Sequence, residues 1–253
     1  MASPCASIPC GTWQCAPAGR TVRVMPHLRL LCLSALLAPG CIQSTPDAVD
    51  VPTVPGLFTV GDFISGDGIE DLQICLMNTD TCDRTDSDGS ATLSVPAEAD
   101  IAITIAGGGY TPTLFALITT SDELTLHTFL APLVVPTTIA NGHGIEIDTD
   151  LGHLVSLVVD GNNRPVEGYA ATVSAGEGPY FMNDIGSDLD LELTETSASA
   201  RVFAMNIEAE SVTLTLDGPN ACRPADYYWQ AGLNEARLPV LAGFASSVLM
   251  RCE

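Results

Sequence analysis

The 253-residue chain has no lysine; all nine of its basic residues are arginines. Three of them (Arg20, Arg23, Arg29) precede Cys41, and no acidic residue does. Beyond Cys41 stand 6 Arg against 31 Asp and Glu, a net charge of −25. A surface that acidic repels phosphate backbones, which excludes nucleic acid as a partner. It attracts cations and keeps the chain soluble. Aromatics are scarce, at 6%. No apolar run reaches the roughly 20 residues of a membrane-spanning helix. The chain has no GxSxG elbow, Walker loop, GxGxxG, CxxC, HExxH or HxH, so the familiar signatures of hydrolases, nucleotide enzymes and metalloenzymes are missing. With 31 acids some carboxylate pair always looks plausible, so acid–base catalysis leaves no readable signal without a cleft.

What the first forty residues do have is an export pattern. Met25 and Arg29 precede a short apolar stretch, Leu30 to Ala38, and small residues lead to Cys41. MPHLRLLCLSALLAPGC resembles a bacterial lipoprotein signal, with Leu37-Ala38-Pro39-Gly40-Cys41 as its lipobox. The resemblance implies cleavage before Cys41 and lipid attached to that residue. It departs from the usual pattern at Ala38 and Pro39. Residues 1–24, with Cys5, Cys10 and Cys15, do not fit an export signal. They are expected to be a mis-called extension ahead of a start at Met25; a Cys-rich zinc module is the alternative, without a fourth ligand. The signal is then 25–40.

Beyond Cys41 remain Cys75, Cys82, Cys222 and Cys252. Four cysteines in an exported chain suggest two disulfides, in any of three pairings. The most local pairing, Cys75–Cys82 with Cys222–Cys252, is the expected one. Its loops would each contribute about 2.5–3.7 kcal/mol by restricting the unfolded chain. A four-cysteine metal site lacks the usual spacing.

Residues 41–56 read as a polar, proline-dotted tether. Short strands follow: LQICLM (72–77), SATLSV (90–95), IAITI (101–105) and TLFALI (113–118). A connector at 134–152 opens with a short helix closed by Asn141-Gly142. Strands resume with LVSLVV (154–159), YAATV (169–173), LDLEL (189–193), ARVFAM (200–205), SVTLTL (211–216) and SSVLMRC (246–252). LDLEL and SVTLTL alternate as half-buried sandwich strands do. Thr85–Gly107 and Thr196–Gly218 align without a gap at an offset of 111 residues. The pattern predicts an all-β chain of two tandem sandwiches, 57–133 and 153–253.

GDFISGDGIEDLQICLM and TDSDGSATLSVPAEADIAITIAGGGY, from Gly61 to Tyr110, resemble the carboxypeptidase regulatory-like domain, a small transthyretin-like β-sandwich of bacterial envelope proteins. LVSLVVDGNNRPVEGYAATV (154–173) is similar to that family's opening. The second half departs in having Ala200 at the turn glycine and the insertion GEGPYFMNDIGSD (176–188). The resemblance implies a fold and an accessory, non-catalytic role, without a ligand.

Candidate sites are few. Asp83, Asp86 and Asp88 are weak Ca²⁺ candidates. An EF-hand loop would need an acid where Arg84 stands and Glu where Val95 stands, while Asp86, Asp88 and Gly89 suit a plain turn. His143 and His153 could be drawn into a metal site with Asp148 or Asp150. Tyr227-Tyr228 does not suit an iron site, since strand neighbours point to opposite faces. Tyr227, Tyr228 and Trp229 are the best candidate for stacking on sugar rings, with capping of the second core as the alternative. Pro179–Phe181 is the runner-up. No cofactor is expected. The predicted role is a non-catalytic, lipid-anchored structural or interaction module of the cell envelope, in the outer membrane because Ile42 follows the cysteine. Its partner would be the membrane together with an envelope protein. A glycan-binding or adhesion module is the second reading, and a metal-dependent enzyme the third.

Overall fold

The structure, a computed structural model, describes residues 51–253. Cys41, the signal, residues 1–24 and the first ten residues of the tether segment lie outside them. Alternation of small polar and β-branched residues sets up strands along almost all of the rest. The first half contributes β1 (Thr53–Asp62), β2 (Gln73–Leu76), β3 (Cys82–Arg84), β4 (Ser90–Pro96), β5 (Asp100–Ala106), β6 (Thr113–Ile118) and β7 (Leu124–Leu130). The helix α1 (Val134–Gly142) follows. The second half holds β8 (Gly152–Asp160), β9 (Ala170–Val173), β10 (Glu177–Met182), β11 (Leu189–Asp190), β12 (Arg201–Ile207), β13 (Ser211–Asp217), β14 (Cys222–Pro224), β15 (Glu235–Pro239) and β16 (Ala245–Cys252). In β4, Ala91, Leu93 and Val95 point into the core while Thr92 and Ser94 face water, the pattern of a sheet wet on one side.

The two halves are one motif used twice. β4 and β5 become β12 and β13 when shifted by 111 residues, end to end. Pairings repeat as well. In the first half β1 joins β4 and, in parallel, β7; β5 joins β2 and β6. In the second, β8 joins β12 and, in parallel, β16; β13 joins β9 and β15. The same threonine ties each motif together. Thr85 Oγ1 accepts the Leu72 N–H at 2.9 Å and donates to the Ile69 carbonyl at 2.6 Å. Thr196 Oγ1 accepts the Tyr169 N–H and donates to the Val166 carbonyl, each at 3.1 Å. Both threonines are buried, where an unpaired hydroxyl would be costly. Each half is a β-sandwich, and the described residues are all-β apart from α1.

The sandwiches are joined edge to edge. Sheet β3-β2-β5-β6 of the first continues into β16-β8-β12-β10-β11 of the second through parallel pairing of Thr113, Leu114 and Phe115 with Ala245, Ser246 and Ser247. The smaller sheets β4-β1-β7 and β15-β13-β9 cover it, and one apolar core runs through all of them. β6 therefore reads apolar after Thr113 and is buried along five of its six residues, because both of its faces are covered.

Some elements depart from expectation. β1 starts at Thr53, so the last four residues of the tether segment are strand. Pro55 fits there because pairing with β7 begins only at Gly56. LDLEL is strand only at Leu189-Asp190; Leu191 is exposed, and Glu192 donates its N–H to Asp190 in a turn. The insertion 176–188 contains β10, which its Gly and Pro content conceals. α1 lies where expected and packs Ala140 with Ile145, Met182, Leu189 and Met205 in a small second cluster.

Candidate functional site

Both disulfides are those of the local pairing. Cys75–Cys82 and Cys222–Cys252 each join directly opposed residues of neighbouring strands. Cys222 and Cys252 are buried, and Cys82 is exposed.

The aromatic group is a correction. Tyr228 is buried, and Tyr227 and Trp229 pack against the core. The Trp229 indole N–H donates to the Leu117 carbonyl at 2.9 Å, and the Trp229 and Ile118 backbone N–H groups bond to Ala116 and Tyr227. Burial raises the Tyr228 phenol above its ordinary range. The 222–230 segment thus closes the outer edge of β6 next to the sandwich junction, and it is not a platform for sugar rings. Tyr180 and Phe181 of the runner-up segment are half-buried and buried in β10.

The acids do not gather either. Asp86 Oδ1 accepts the N–H groups of Asp88 and Ser90, at 3.0 and 2.9 Å. Asp83 accepts those of Arg84 and Thr92. Among the described residues no group of three His, Cys, Asp or Glu side chains is placed to hold a metal. His143 pairs with Asp188 at 2.9 Å, and the His153 Nδ1 accepts the Asn206 N–H at 3.3 Å, so the two histidines serve different contacts. Desolvation chiefly lowers the His153 pKa, and the Asp148 charge partly restores it. Asp62 and Asp160 are equivalents that cap the turns after β1 and β8. Backbone N–H groups, from Ser65 and Arg164 foremost, pull both carboxyls below their ordinary value. A shallow, open groove of about 420 Å³ lies along Pro165, Glu167, Ala198 and Asn220.

The surface that sequence reasoning missed lies at the far end of β1 and β7. Phe63, Ile64 and Phe129 are exposed there. Phe129 lies over Gly61, and the Phe63 N–H bonds to Leu130. The Arg201 guanidinium stands 5.1 Å from the centre of the Phe63 ring, a cation–π distance. Arg201 Nη1 also lies against Gly186, beside the exposed Ile185. Arg201 is half-buried, and among the described residues no carboxylate lies within 4.0 Å of it. Arg251, the other half-buried arginine among the described residues, reaches both Asn163 and Asp226. The sequence signal was Phe129 at an outward position of an alternating strand.

No family model and no curated protein matches the chain. Among solved structures, the shaft pilin SpaA from Lactobacillus rhamnosus GG (D295N mutant) aligns at 9% identity over 80% of this chain and 99% of that one, with a TM-score of 0.25. The minor pilin GBS52 from Streptococcus agalactiae aligns at 12% identity over 78% and 94%, with a TM-score of 0.28. A type II cohesin-X-dockerin complex from Acetivibrio cellulolyticus matches at 12% identity over 30% of this chain, which spans 56% of the matched chain, with a TM-score of 0.27. Likeness at these scores adds nothing to the fold described above.

Proposed function

We propose that the chain is a lipid-anchored, non-catalytic protein of the cell envelope that works as a structural or interaction module. The observation that carries this reading is the order of parts: a lipobox-like LAPGC, a short polar segment, then two sandwiches fused through one sheet. Several acyl chains at Cys41 would hold it to a membrane effectively permanently. Residues 42–52 would give the folded part a reach of roughly 35–40 Å from the lipid surface. Ile42 after the anchor supports the outer membrane. Asp62, Asp86, Asp160, His143 and His153 are engaged in turns and local pairs, which supports a role without catalysis.

The test is the intact mass of the protein extracted from membranes, with and without reduction before alkylation. The expected result is a chain that starts at Cys41, carries acyl mass, and alkylates four cysteines only after reduction. A soluble chain with an unmodified N-terminus would overturn the anchor.

A further inference from the structure

Each sandwich places one strand in parallel beside its first strand: β7 beside β1, and β16 beside β8. The outer edge of β16 is fully used. β6 pairs with its beginning and β14 with its end, and the Leu249 carbonyl accepts the Ala225 N–H. β7 is the counterpart of β16, offset by 122 residues, so His127 corresponds to Leu249 and Phe129 to Arg251. Yet among the described residues β7 has β1 on one side and no strand on the other; only beyond its end does the Thr111 N–H bond the Ala131 carbonyl. Because the Phe63 N–H donates to the Leu130 carbonyl, Leu130 faces β1. By alternation, the N–H and C=O groups of Thr125, His127 and Phe129 face the open side.

The other edges are guarded. β15 carries Glu235, Arg237 and Pro239, and the turn at Gly232 binds the Glu235 N–H. β4 ends in Pro96, and its Thr92 N–H is taken by Asp83. β3, β9, β11 and β14 are 3, 4, 2 and 3 residues long. β7, LTLHTFL, is 7 residues long and carries no Asp, Glu, Lys, Arg or Pro. Folded proteins ordinarily blunt an edge like that with charge, proline or cover. Beside it lie the exposed Phe63, Ile64 and Phe129, and the half-buried Arg201 without a carboxylate.

We propose that the open edge of β7 is a docking site, where an extended segment of a partner protein adds as a fourth strand to the β4-β1-β7 sheet. Apolar side chains of that segment pack on Phe129 and Phe63, and one of its carboxylates meets Arg201. Main-chain pairing supplies the affinity and the flanking pockets the choice of sequence. Charge argues against a second copy as the occupant: each chain carries −22, and like charges repel. An aromatic next to an arginine is the composition of an interface centre. This deepens the reading of an interaction module and rests on it; the mass experiment above bears on the anchor alone, so the two can fail separately.

The test is selection of a random peptide library displayed on phage against the purified full chain. The expected peptides carry Asp or Glu beside aliphatic or aromatic residues. On binding, the amides of Thr125, His127 and Phe129 should gain protection from hydrogen exchange. His127→Pro removes an outward N–H without touching the β1 pairing and should weaken binding at least tenfold. Phe129→Ser should do the same, and it keeps the test valid if the proline variant fails to fold. Arg201→Gln should weaken the acidic peptides at least fivefold and leave their amide counterparts unchanged. The proposal is overturned by any of four results: no enriched peptide, binding indifferent to His127→Pro and Phe129→Ser, self-association through β7 in place of peptide binding, or peptide binding that appears only after residues 42–50 are removed.

Discussion

Gly89 and Ala200 occupy the same turn of the two sandwiches, and both have left-handed backbones, with φ of +76° and +54°. Each carbonyl accepts the N–H of the matching valine on the first strand, Gly89 from Val60 at 2.8 Å and Ala200 from Val158 at 2.9 Å. The second turn therefore keeps its glycine's conformation with a methyl group in place.

The two positions should respond differently to exchange. A Cβ at Gly89 would come within 2.2 Å of the Val60 carbonyl oxygen, so Gly89→Ala should cost about 3 kcal/mol or more, through strain at a special backbone position and a clash. In Ala200→Gly, relief of about 1–2 kcal/mol of left-handed strain is offset by about 0.8 kcal/mol for a buried methyl and by added backbone entropy. Stability should change by less than about 1 kcal/mol. Urea unfolding of both variants checks the asymmetry; equal losses would mean the turns are not equivalent.

Removing the Cys222–Cys252 bridge with paired serines should lower the unfolding free energy by about 3.7 kcal/mol, and removing the shorter Cys75–Cys82 bridge by about 2.5 kcal/mol. Under mild reductant the exposed Cys82 side should open first. Timed alkylation with mass spectrometry gives the order, and simultaneous opening would contradict it.

Trp229→Phe keeps an aromatic ring against the core but removes the indole N–H that reaches Leu117, together with part of the indole's packing. The expected loss is about 1–3 kcal/mol, for the lost hydrogen bond and the lost contact area. Glycan-array signals should not depend on this residue. A variant as stable as the parent that has lost glycan binding would restore the sugar-stacking reading.

His153 should make stability pH-dependent. Its pKa is lowered from 6.5 in the folded chain, so below that value the unfolded chain takes up the proton first. The contribution is complete above about pH 6.5 and is lost as pH falls toward the folded value. Protonation at Nδ1 would also end the bond from Asn206. Melting temperature should fall with acidification through this window in the parent and stay flat in His153→Gln. Asp62 and Asp160, lowered from 3.8, act in a separate window below about pH 4.

Much of this was legible in the chain itself. Alternation in SATLSV and SVTLTL fixed strands at period two, because only one face of each is buried. The 111-residue offset marked the repeated motif, and an even count of cysteines after Cys41 marked the bridges. What the sequence could not settle is where strands meet across long separations. β16 sits between β8 and β6, strands that begin 93 and 132 residues before it, and nothing in SSVLMRC names those neighbours. The same non-local pairing buries Tyr228 and packs Trp229 against β6, so an apparent sugar platform caps the core. It leaves β7 bare where β16 is covered. Local composition decides which segments are extended and which face is apolar. Which edge stays open depends on how the sheets close in three dimensions, and that sum is made only in the folded chain.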